Sequence, residues 1–96
     1  MIYEFRTYDL FPGNLPKYEE TLTDSLAGGR LDHSDLFAYF YTEFGPLNQA
    51  LHIWPYESLD ARQAIREETT GITGWPPATG AMLAGQAADI YFPAPF

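Results

Sequence analysis

Tyr41–Tyr56 reads YTEFGPLNQALHIWPY, and the fold turns on how this stretch is interpreted. Glu43-Phe44-Gly45-Pro46 has the composition of a turn, with Gly45 free to adopt a backbone angle other residues avoid. The segment before it, Leu36–Thr42 (LFAYFYT), is dense in aromatic residues and predicts a strand. Asn48–Tyr56 is then the returning strand, and a short connection makes neighbours of the two. In the first of them the odd positions Phe37, Tyr39 and Tyr41 are as apolar as the even positions Leu36, Ala38 and Phe40. Such a strand has two faces that need cover.

On the N-terminal side, Ile2–Leu10 (IYEFRTYDL) alternates with the period of a strand, Tyr3, Phe5 and Thr7 on one face and Glu4, Arg6 and Tyr8 on the other. Asn14 is placed to cap a helix and Pro16 is tolerated in its first turn. Leu15, Tyr18, Leu22 and Leu26 form the apolar stripe of that helix, opposite Glu19, Glu20 and Asp24, and Gly28-Gly29 ends it. Arg30–Asp35 is a polar connector. On the C-terminal side, Ser58 caps a second helix over Leu59–Glu68, with Asp60 in its first turn and a thin buried side of Ala61, Ala64 and Ile65. Thr69–Pro77 is a loop anchored by Trp75, Ala78–Ala84 adds a helical turn, and Ala87–Phe92 is the last strand, stopped by Pro93-Ala94-Pro95.

The order is βαββαβ, the split plan of an α+β ferredoxin-like domain: a four-stranded antiparallel sheet with two helices on one face. The other sheet face carries half of an aromatic complement of seven Tyr, seven Phe and two Trp in 96 residues. Either the C-terminal loop folds back over it or a second copy covers it, and the second option predicts a homodimeric α/β barrel.

Thirteen acids against five bases leave a net charge of -8, a poor match for nucleic acid or anionic membranes. No cysteine is present, so disulfides, thiolate nucleophiles and Cys-ligated metals are excluded. No apolar run approaches the roughly 18 residues of a membrane span, and no export signal precedes the first strand. The expectation is a soluble, cytoplasmic domain.

Candidate chemistry gathers on the returning strand. Its even positions Asn48, His52 and Trp54 share one face, and Glu4, Arg6 and Tyr8 of the first strand would lie beside them. A histidine between a carboxylate and an apolar ring suits a general base or a ligand contact, with Asn48 and Trp54 to orient an aromatic substrate or hold an oxygen-derived anion and Arg6 close to His52. The ligand expected there is a small aromatic or apolar one. A His and a Trp on a buried strand more often fill a core or an interface than carry catalysis. Glu43, at the hairpin mouth, either lines a pocket or holds the turn. His33 beside Asp32 and Asp35 is a weak metal pattern, and no other part of the chain has metal spacing, so neither a metal nor a cofactor is expected.

The run TEFGPLNQ over Thr42–Gln49, followed by Leu51-His52-Ile53-Trp54 and Tyr56-Glu57-Ser58-Leu59, resembles the NIPSNAP family. The opening Ile2–Tyr8, Pro12-Gly13, Trp75 in its Gly-Trp-Pro context and the closing Pro93–Phe96 extend the similarity over nearly the whole chain. The resemblance implies the dimeric α/β-barrel superfamily, whose other members include small-molecule oxygenases, haem-degrading enzymes, isomerases and dehalogenases. NIPSNAP proteins themselves have no settled catalytic chemistry, and those of animals are linked to mitochondria, vesicle traffic and mitophagy. This chain departs from the family pattern in its Gly-rich connector and in Asp89, where a basic residue is expected.

Two functions fit. One is a dimeric small-ligand-binding or protein-interaction module. The other is a cofactor-free oxygenase or isomerase using His52, Asn48, Trp54 and Arg6.

Overall fold

The computed structural model describes residues 1–96 as a four-stranded antiparallel sheet with two helices on one side. The elements are β1 (Ile2–Leu10), α1 (Leu15–Ala27), β2 (Ala38–Tyr41), β3 (Gln49–Tyr56), α2 (Leu59–Thr69) and β4 (Leu83–Tyr91). The strand order β2-β3-β1-β4 places β1 and β3 inside and β2 and β4 at the edges. This is the expected ferredoxin-like plan.

α1 forms because its apolar residues recur every three to four positions, and Tyr18, Leu22 and Leu26 are the ones it buries. They meet Ile2, Leu10, Ala50, Trp54 and Tyr56 from the sheet in one core. α2 begins where Ser58 accepts from the Ala61 N–H at 3.1 Å, as its sequence predicts. Its packing differs from expectation, since Ala64 is exposed and Thr69 is the one buried residue of the helix. Asn14 does not cap α1 either. Its side-chain amide turns back and donates to the Phe11 carbonyl at 3.2 Å.

The edge strands depart most from the sequence reading. β2 is shorter than Leu36–Thr42, because Leu36 and Phe37 lie before the regular ladder, with the Phe37 N–H donating to the Ile53 carbonyl at 2.9 Å. β4 starts at Leu83 rather than Ala87, after a single 3-10 turn over Gly80–Met82. Its Ala-Gly-Gln segment has little strand propensity, yet β1 templates it through register pairs from Tyr3–Tyr91 to Asp9–Gly85.

The Cα envelope measures 36 × 36 × 18 Å, room for a sheet and one helical layer and no third. The sheet face away from the helices is therefore bare in a single chain. It carries Tyr3, Phe5, Leu51, Phe40 and Tyr91 around a buried Ile53, with Tyr3 edge-on to Phe37 at 5.5 Å and Phe5 against Tyr91 at 4.6 Å. The C-terminal segment does not cover it: Phe92 and Phe96 are themselves exposed.

Candidate functional site

β1 and β3 pair with Glu4 opposite Trp54 and Arg6 opposite His52. Alternation along each strand sends these four side chains and Tyr8 toward the helices. α1 brings Tyr18 over them, the connector brings Arg30, α2 brings Arg62 and Arg66, and the loop after α2 brings Trp75 and Thr79. A cavity of about 470 Å³ is lined by all of these except Arg62.

His52 is buried, and its Nε2 lies 2.6 Å from the Tyr18 hydroxyl. The edges of Tyr8 and Tyr39 close around the ring at centroid distances of 5.0 and 5.3 Å. Burial, with Arg6 adding repulsion, pushes the imidazole down to about 4. Burial pushes the Tyr18 phenol up. At neutral pH the pair is thus a neutral imidazole bonded to a neutral phenol, suited to orienting a polar group. Burial, with Glu19 close by, raises the pKa of the Tyr39 phenol.

Glu4 is 1% exposed and serves two cations. It accepts from Arg6 Nη1 at 3.3 Å and from Arg62 Nε at 2.5 Å. Arg6 also donates from Nε to the Tyr8 hydroxyl at 2.7 Å. Burial works to lower the Arg6 pKa, but Tyr8 and Glu4 outweigh it and hold the guanidinium charged.

Arg30 is 3% exposed and takes part in none of the chain's ion pairs. Its guanidinium donates to Ser34 Oγ at 2.8 Å and to the Tyr56 hydroxyl at 3.3 Å. Its face stacks on Trp54 at 4.3 Å and lies 5.3 Å from Trp75, so the expected loop anchor is also one wall of the cavity.

Of the residues picked from sequence, His52, Arg6, Trp54, Glu4 and Tyr8 all line this cavity. Asn48 does not. Its backbone is left-handed at φ 59°, which takes it out of the strand and off the His52 face before β3 begins. Its carbonyl accepts from the Leu10 N–H at 2.8 Å instead. Glu43 is exposed in the hairpin turn and lines no part of the cavity. Gly45 has the expected positive φ, 94°. His33 turns to Glu68 at 3.2 Å rather than to its acidic neighbours, and no three metal-ligating side chains converge anywhere.

Sequence reasoning missed Arg30, Arg66 and the partnership of Arg62 with Glu4. One signal was available: in a chain with five bases, Arg62 and Arg66 sit four apart on one helix face.

The NIPSNAP family model matches residues 3–96. The chain belongs to the NIPSNAP family. It is 41% identical over 66 residues to the NipSnap homolog of Dictyostelium discoideum, covering 69% of this chain and 29% of that protein. The chain thus spans less than a third of the length of the curated NIPSNAP relatives it matches. Protein Atu4242 from Agrobacterium tumefaciens superposes with a TM-score of 0.90 at 33% identity, over 100% of this chain and 96% of that one. NIPSNAP domains of solved structure include proteins described as of unknown function or uncharacterized. At 13% identity and a TM-score of 0.69, a candidate antibiotic biosynthesis monooxygenase from Nitrosomonas europaea shares the fold over 97% of this chain and 98% of its own. That likeness extends to the fold alone.

Proposed function

We propose that this NIPSNAP domain is a homodimeric small-molecule-binding module of the cytoplasm, with its ligand held between the sheet and the helices. The cavity carries the reading: about 470 Å³, walled by Tyr8, Tyr18, Trp54 and Trp75, with a few polar groups converging on it. That size and mixture are typical of ligand sites rather than of packing defects. The bare aromatic sheet face supports the dimer, since contiguous apolar surface is seldom left to water and a second copy supplies a matching cover. The net charge of -8 keeps nucleic acid and membrane surfaces out of the reading, and the lack of cysteine suits a reducing cytoplasm.

A cofactor-free oxygenase or isomerase has less support. Asn48 stands outside the cavity, and an imidazole at about 4 is too weak a base for efficient proton abstraction near neutrality.

Both tryptophans of the chain line the cavity, so their emission is a built-in reporter. Titration with small aromatic compounds should give saturable emission changes at one site per chain. If no compound moves either the emission or the melting temperature, the binding module is excluded. Sedimentation at micromolar protein should give twice 10.8 kDa, and a clean 10.8 kDa species would remove the dimer.

A further inference from the structure

The cations of this acidic chain are concentrated in one place. Of its five basic residues, Arg6, Arg30 and Arg66 line the cavity, and Arg62 grips the lining residue Glu4. Of its thirteen acids, Glu4 alone lines it. Glu4 is moreover already divided between Arg6 and Arg62. The wall therefore carries a surplus of positive charge inside a protein whose net charge is -8.

Arg30 is the sharpest part of that surplus. A buried charge is ordinarily paired, because desolvating it without a counter-charge is costly. Here the guanidinium has hydroxyl and indole partners and no carboxylate. Burial lowers its pKa, Tyr56 offsets part of that, Arg66 adds repulsion, and Glu4 supplies only a small, more distant attraction. Three guanidiniums on one cavity wall, with a single lining carboxylate already shared between Arg6 and Arg62, leave room for one anion.

The surroundings narrow the anion. A guanidinium is a planar fork that matches a carboxylate in two parallel bonds. Trp54, Trp75 and Tyr8 present ring surface in the same cavity, and the edge of His52 bonded to Tyr18 adds a neutral polar wall. We propose that the cavity selects an aromatic carboxylate, with its ring among Trp54, Trp75 and Tyr8 and its carboxylate received by Arg30 and Arg66. This inference rests on the binding-module reading and adds the chemical class of the ligand.

Four probes read by tryptophan emission and calorimetry test it: 2-naphthoate, 2-naphthalenemethanol, 2-naphthylmethylammonium and inorganic phosphate. Naphthoate should bind about 10-fold or more tighter than the alcohol, and the ammonium should be weakest. Arg30 is buried and its loss threatens the fold, so the informative variant is Arg66→Gln at an exposed position. It should weaken naphthoate by about 5-fold and leave the alcohol within about 2-fold. Equal binding of alcohol and acid would overturn the anion selectivity while leaving the binding module intact. Phosphate binding as tightly as naphthoate would overturn the aromatic carboxylate. Failure of every ring-bearing probe would overturn the inference and the binding module together.

Discussion

The two faces of the sheet are made by the same strands and have opposite characters. Toward the helices, Glu4, Arg6, Tyr8, His52 and Trp54 form a connected set of ion pairs, hydrogen bonds and stacked rings around a cavity. Toward solvent, Tyr3, Phe5, Leu51 and Phe40 offer apolar surface with no such polar network. Successive residues of β1 and β3 therefore face two different environments, and under the proposed function they would serve ligand binding on one side and association on the other. Because the period is two, a slip of one residue would exchange them, so the register between β1 and β3 is a functional constraint as well as a structural one.

The strongest test of the helix-facing side is Glu4→Gln. It leaves Arg6 and Arg62 without their shared carboxylate in a partly dry site. Both arginine side chains keep about a fifth of their exposure, so the cost should sit near the low end for breaking a buried pair, about 3 kcal/mol. Urea denaturation checks it. A loss within about 0.5 kcal/mol would show that water replaces Glu4 and that the network is not structural.

The solvent face is tested by Phe40→Asp. Phe40 is 56% exposed on edge strand β2, so one chain should lose little stability, less than about 1 kcal/mol. In a dimer the same change buries a charge without a partner, and self-association should weaken by about 100-fold, near 2.7 kcal/mol. Sedimentation reads the second effect, and naphthoate affinity should stay put. If the variant remains dimeric, the association surface lies elsewhere.

Next comes the acid side of the pH profile. The folded-state pKa of His52 is depressed to about 4 from an ordinary 6.5, so the unfolded chain binds its proton more readily. Stability from this group is thus complete above about pH 6.5, falls as the pH drops, and levels off below about 4. At about pH 5.5 the loss should be on the order of 1 kcal/mol. His52→Gln should flatten that slope, and an unchanged slope would mean that the imidazole is not held dry.

These contrasts also explain what could be read from the chain. β1, α1 and the Ser58 cap were legible because each rests on residues a few positions apart. The face shared by Glu4, Arg6, Tyr8, His52 and Trp54 followed from strand alternation once β1 and β3 were taken as neighbours. Arg30 was illegible: it comes from a connector and meets Tyr56, 26 positions away, only because the sheet places β3 there. Arg62 reaches Glu4 across 58 positions for the same reason. β4 was under-read because its pairing with β1 overrides its Ala-Gly-Gln composition.

Asn48 is the finest test of where the ligand face ends. Read as an even position of the returning strand, it belongs beside His52; its φ of 59° puts it in the turn. Asparagine tolerates that angle and glycine more so, while a Cβ without a compensating polar group costs about 1 kcal/mol. Asn48→Gly should therefore hold stability within about 0.5 kcal/mol and leave naphthoate affinity unchanged, whereas Asn48→Ala should lose about 1 kcal/mol at the same affinity. The carbonyl that accepts from Leu10 survives in both variants, so the hairpin keeps its place. A drop in naphthoate affinity for Asn48→Gly at unchanged stability would return the amide side chain to the site. The ligand face would then reach past β3 into the turn.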